Sequence, residues 1–72
     1  MPPRRFEFVE GTSAKFWEIT TTNREVTVHY GRIGSNGQTQ TKSFTSDSAA
    51  ADHAEKQIAS KLAKGYREFA TV

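Results

Sequence analysis

Val26-Thr27-Val28-His29-Tyr30-Gly31-Arg32-Ile33-Gly34-Ser35-Asn36-Gly37 is the stretch that decides the fold. From Val26 to Tyr30 the apolar residues recur at every second position, the period of a strand with one buried face. Gly31 ends the alternation, and Asn36-Gly37 is a strong hairpin signal because both residues tolerate positive φ. The chain is therefore expected to turn and return as a threonine-rich strand from Gln38 to Phe44. Upstream, Thr22-Asn23-Arg24 has hairpin length. It joins Glu25–Tyr30 to a strand from Lys15 to Thr21, with Trp17 and Ile19 on one face and Phe16 and Glu18 on the other. Glu10-Gly11-Thr12-Ser13 is turn material, and Arg4 to Val9 alternates again, Phe6 and Phe8 against Arg5 and Glu7.

Downstream the pattern changes period. Ser46 or Thr45 can cap a helix whose first turn contains Asp47. From Asp47 to Lys64 the chain is rich in alanine, glutamate, glutamine and lysine, and Ala51, Ala54, Ile58 and Leu62 make one apolar stripe at helical spacing. Gly65 is a C′ terminator, and Tyr66 to Phe69 can return to the sheet as a short last strand. The expected class is α+β: a small antiparallel β-sheet of four to five strands with one α-helix packed on one face.

Seventy-two residues (1–72) make one domain, which buries only about 60% of its unfolded surface. That leaves no volume for a deep catalytic cavity, and the expectation is a protein that is not an enzyme. Cysteine is absent, so disulfides and thiolate metal sites are excluded. No apolar run approaches the roughly 20 residues of a spanning helix. The start Met1-Pro2-Pro3-Arg4-Arg5 is basic, but no apolar signal core follows it. The expected setting is the cytoplasm, without membrane contact. Net charge is only +2. Its distribution is more telling: Lys56, Lys61, Lys64 and Arg67 occur in a stretch without an acid.

The spacing Gly31-x-x-Gly34-x-x-Gly37 is not a phosphate-binding loop of known type. No Gly-Lys-Ser/Thr follows, and a strand stands where a dinucleotide fingerprint needs a helix. It reads as a glycine-rich hairpin. His29 and His53 have no partners at metal-ligand spacing, and no strand–elbow–helix context supports a serine nucleophile. No metal or cofactor is expected. Tyr30 has two readings: a core aromatic in phase with Val26 and Val28, or an accessible ring at the strand's end beyond the helix. Arg32 is either a solvated cation near a turn or, beside Tyr30 on backbone the glycines leave uncrowded, a contact for a sugar–phosphate ligand.

At Phe6-Glu7-Phe8-Val9-Glu10-Gly11, Lys15-Phe16-Trp17-Glu18-Ile19 and Tyr30-Gly31-Arg32-Ile33-Gly34 the chain resembles the WGR domain. The resemblance continues through Gly37-Gln38-Thr39-Gln40-Thr41-Lys42-Ser43-Phe44, the alanine-rich helix and Lys64-Gly65-Tyr66. WGR domains occur in DNA-dependent poly(ADP-ribose) polymerases, where they bind DNA near strand breaks, and in bacterial proteins resembling putative molybdate-metabolism regulators. In the polymerases the signature tryptophan packs on the sugar of a terminal nucleotide, and the signature arginine bridges to neighbouring parts. The resemblance places Tyr30 in the tryptophan's position and Arg32 in the arginine's, with Gly31 keeping the backbone close. Tyrosine offers less stacking area than indole. These residues contain no ADP-ribosyltransferase domain, so polymerase activity is not implied. The expectation is a stand-alone bacterial module that binds DNA through sugar–phosphate contacts, as a monomer and with little sequence specificity. Tyr30, Gly31, Arg32 and Lys42 form its first surface, and Lys61, Lys64 and Tyr66 a second. The alternative is a protein-interaction module in which the same ring and arginine dock another domain.

Overall fold

The computed structural model describes residues 3–69. Met1 and Pro2, the head of the basic start, and residues 70–72 lie outside the described residues. The elements follow in the order β1 (Arg4–Glu10), β2 (Ser13–Thr22), β3 (Glu25–Arg32), β4 (Gln38–Ser43), α1 (Asp47–Ala63) and β5 (Arg67–Phe69). The strands form one sheet in the order β4-β3-β2-β1-β5, antiparallel throughout. Strands β1 to β4 form a meander. The helix then carries the chain back across the sheet, so that β5 pairs with β1.

Register places the apolar positions in rows. Trp17 lies opposite Phe6 on one side and Tyr30 on the other. Ile19 lies opposite Arg4 and Val28. Phe6, Trp17, Ile19 and Val26 are buried with Ala50, Ala54 and Ile58 of α1, and Val28, Tyr30, Phe44 and Tyr66 pack around them. The Phe6 and Trp17 rings meet at 5.5 Å, tilted by 54°. Alternation in β1, β2 and β3 therefore points to the correct face at every one of these positions.

The helix begins where its cap predicts. The Ser46 hydroxyl accepts the Ala49 amide at 3.1 Å, and Asp47 occupies the first turn. It ends with the Gly65 amide donating to the Leu62 carbonyl and the Tyr66 amide to that of Lys61, both at 3.1 Å, a Schellman closure. The expected stripe is shifted by one residue at two places. Ala50, Ala54 and Ile58 are buried, whereas Ala51 is exposed and Leu62 is 49% exposed. Three consecutive alanines, Ala49 to Ala51, hide the phase. The true stripe continues to Lys61, whose stem rather than Leu62 reaches the sheet, its ammonium 5.5 Å from the Trp17 ring.

The turn between β3 and β4 also differs from expectation. The tight turn is Arg32–Ser35, closed by the Ser35 amide on the Arg32 carbonyl at 3.0 Å, rather than Asn36-Gly37. Gly37 has a different task. At φ +69°, a Cβ on Gly37 would lie 2.5 Å from the Tyr30 carbonyl oxygen and 2.7 Å from Phe16 Cζ. A Cβ on Gly31 would lie 2.8 Å from Gly37 Cα. The two glycines interlock and let residues 33–37 fold back over Phe16. Phe16 points away from the helix yet is only 4% exposed. Arg5 covers its ring at 4.9 Å and His29 meets it edge-on at 5.0 Å. The space in front of Gly31 is thus filled by the loop, and the expected uncrowded backbone is not there.

Among the described residues, no helix is long and apolar enough to cross a membrane. Trp17 is 4% exposed and central to the row Phe6–Trp17–Tyr30. Trp17→Ala is expected to cost about 3–5 kcal/mol, close to all that a core of this size supplies. Thermal denaturation and NMR dispersion check this; a native-like, cooperatively melting variant would contradict the assignment of Trp17 as the keystone of the core.

Candidate nucleic-acid interface

The helix packs over β2 and β3 and leaves uncovered the sheet corner where β2 begins and β3 ends. The two-residue loop Asn23-Arg24 pairs Thr22 with Glu25 and, counting along the strands, Trp17 with Tyr30 and Lys15 with Arg32. All four side chains stand on the helix side. The end of α1 closes this corner with Lys61, and the closing turn adds Tyr66. The result is a cleft of about 440 Å³ lined by Lys15, Trp17, Tyr30, Arg32, Lys61 and Tyr66, with Val28 at its floor and Gln40 beside it on β4.

Tyr30 combines both of its readings. It is half-buried and packs against the core, yet its ring borders the cleft. Its hydroxyl donates to Gln38 Oε1 at 3.2 Å, across the β3–β4 pair. Lys61 extends between two rings, its ammonium 5.5 Å from that of Trp17 and 5.3 Å from that of Tyr66. Burial, and then the like charges of Lys64 and Lys15, hold the Lys61 amine below its ordinary pKa. Burial is the larger cause, and the neighbouring lysines add an electropositive contribution to it.

The carboxylates are elsewhere. Among the described residues, ion pairs join Arg4 to Glu68, Arg5 to Glu7 and Glu18, and His29 to Glu18. Arg4 grips Glu68 through two bonds of 2.7 and 2.8 Å, which raises the arginine's pKa and lowers the carboxyl's. Lys15, Arg32, Lys61 and Lys64 take part in none of these pairs, and no acid among the described residues lines the cleft. A surface whose charged side chains are all cations, set among rings, is suited to an anion that carries flat groups.

Of the residues singled out in the sequence, Tyr30, Arg32, Lys61 and Tyr66 come together here, and Gly31 contributes backbone. The two surfaces expected to be separate are one. Lys64 lines an adjoining hollow with Phe8, Lys15, Lys61 and Tyr66. Lys42 lies farther along the same face, opposite Val26. Lys15 and Gln40 were missed by the sequence reading. Lys15 could have been found by carrying the hairpin register back to Arg32; Gln40 looked like one polar residue among many.

The opposite face carries a clamp. His29 Nε2 faces the Asn36 carbonyl at 2.5 Å and Nδ1 faces Glu18 Oε1 at 3.0 Å. With both ring nitrogens facing oxygen acceptors, the imidazolium is the form that satisfies both. The Asn36 carbonyl first, then Glu18, raise its pKa, against desolvation and the charge of Arg5.

Sheet, helix and closing turn define a small α+β module with a basic, aromatic-lined cleft. The chain belongs to the WGR domain family, whose model matches residues 3–71, and WGR domains are nucleic-acid-binding modules. It is 40% identical over 65 residues to the uncharacterized protein YfeS of Escherichia coli, covering 90% of this chain and 27% of that one. It is 44% identical over 68 residues to protein YehF of the same organism, covering 93% and 24%. A crystal structure of a Bacteroides fragilis protein superposes with a TM-score of 0.93 at 43% identity, over 96% of this chain and 20% of that one. The chain thus spans about a quarter of the length of its curated relatives.

The clamp carries a pH dependence of definite sign. A histidine whose folded pKa is raised contributes stability fully below its ordinary value, about 6.5. That contribution is lost as pH rises through the folded value. The melting temperature is therefore expected to fall over that window, and His29→Gln to remove this part of the fall. A parent and variant with identical pH profiles would contradict the clamp.

Proposed function

We propose that this chain is a non-catalytic module that binds DNA at exposed ends or breaks through sugar and phosphate, with little sequence specificity. The observation that carries this reading is the convergence of Lys15, Arg32 and Lys61 on an aromatic cleft lined by no carboxylate among the described residues, with Lys64 in the adjoining hollow. Family membership supports it. Lys15 and Arg32, side by side across the β2–β3 pair, meet successive phosphates. Arg32 does so with a planar fork that can hold two phosphate oxygens at once. Tyr30 and Tyr66 present ring faces to an exposed sugar or base, which a terminal nucleotide offers and an intact stack does not. Tyr30 suits this task because one side of its ring is fixed by the core and its hydroxyl by Gln38. Such contacts position an end without reading base edges.

Trp17 is the only tryptophan in the chain and borders the cleft, so its emission reports occupancy. Titration with a short blunt duplex between about 50 and 200 mM salt is expected to give a log–log slope of about −3 to −4, as four neutralised phosphates require. Arg32→Ala should flatten the slope by about one and weaken unrelated sequences alike. An unchanged slope in that variant would reject the site. A parent that fails to bind DNA at low salt would reject the reading and favour the protein-docking alternative.

A further inference from the structure

The cleft does not end at Tyr30. A second hollow of about 410 Å³ adjoins it, bordered by Val26, Val28, Gln40, Thr41, Lys42 and His53. The two share Val28 and Gln40. Both are on the helix side of the sheet. One floor therefore runs along β3 from Arg32 through the half-buried Tyr30 and Val28, and ends where the helix buries Val26. The matching positions of β4, namely Gln38, Gln40 and Lys42, form one bank. The helix forms the other bank, with Lys61 at one end and His53 at the other. The His53 ring lies 4.8 Å from that of Phe44, and the Lys42 ammonium is 5.7 Å from the same Phe44 ring. Both ends thus repeat one chemistry, a cation beside a ring, and the side chains between them are apolar or amide. Among the described residues, no carboxylate borders either hollow.

From Val26 to Arg32 the strand extends about 20 Å at roughly 3.3 Å per residue. Stacked nucleotides rise about 3.4 Å each, so the groove holds at most about six of them and fewer in an extended strand. The part-exposed Tyr30 and Val28 in its floor match the faces of unpaired bases. A duplex hides those faces and offers only its backbone.

We propose that this groove is a track for a single-stranded extension of the bound DNA end, entering at Arg32 and Tyr30 and leaving between Lys42 and His53. The proposal rests on the DNA-end reading and adds to it the strand state of the ligand and a second anchoring point.

The test compares duplexes of one core sequence, blunt or with extensions of increasing length at the 3′ or the 5′ end, followed by Trp17 emission and by anisotropy of a labelled strand. Affinity is expected to rise with extension length for one polarity and to level off near six nucleotides. Lys42→Ala and His53→Ala should each reduce the affinity for the extended duplex several-fold more than that for the blunt one, so that the gain from the extension shrinks. Arg32→Ala should weaken both forms together. Blunt binding with no gain from either extension would overturn the track and leave the end-binding reading standing. Equal losses for blunt and extended duplex in Lys42→Ala would also overturn it, by making Lys42 a general phosphate contact. Absence of binding to any duplex would overturn both.

Discussion

Everything in this structure depends on how one helix covers the row Phe6–Trp17–Tyr30. Strand pairing fixes those three rings side by side on one face of the sheet. The helix, about 25 Å long at roughly 1.5 Å per residue, packs on that face through Ala50, Ala54 and Ile58. Two of these three are alanines, so the helix approaches closely and seals Phe6 and Trp17. It does not extend over Tyr30. The core thus ends in a half-covered ring, and the same row that stabilises the fold supplies the floor of the cleft.

The far side of the sheet solves a separate problem. A three-strand segment with one exposed face would leave Phe16 in water. The loop between β3 and β4 folds back on it, made possible by Gly31 against Gly37, and Arg5, Glu18 and His29 fix the cover in place. This arrangement also sorts the charges. Glu7 and Glu18 are paired on the far face, and Glu68 is taken up by Arg4 at the β1–β5 edge. The cations of the helix end meet those of β2 and β3 without an acid between them. Separation of charge by face gives a concentrated cationic surface to a chain whose net charge is only +2.

Much of this was legible in the sequence, because period-two alternation and capping chemistry are local. The faces of Phe6, Trp17, Ile19, Val26 and Val28, the Ser46 cap and the stop at Gly65 all follow from neighbours within a few residues. The class, an antiparallel sheet of four to five strands with one helix on one face, follows from them. What the sequence hid was phase and depth. Ala49-Ala50-Ala51 gives no apolar contrast by which to choose the buried alanine, so the stripe was placed toward Leu62 instead of Lys61. The role of Gly37 depends on Phe16, more than twenty residues upstream, and no local rule reaches that far. For the same reason the two basic surfaces looked distinct. Only the return of the helix end to the β2–β3 corner joins Lys61 and Tyr66 to Tyr30 and Arg32.

The central claim is that the helix-side cleft is the binding face and the clamped far side is not. Backbone amide NMR during titration with a short duplex tests this most directly, since it reports every position at once. The account predicts shifts concentrated at Lys15 to Trp17, Tyr30 to Arg32 and Lys61 to Tyr66, and at the Trp17 indole, with Arg5, Glu18, Thr27 and Thr41 left in place. Shifts centred on Arg5, Glu18 and Thr41 instead, with the Trp17 indole unmoved, would contradict it.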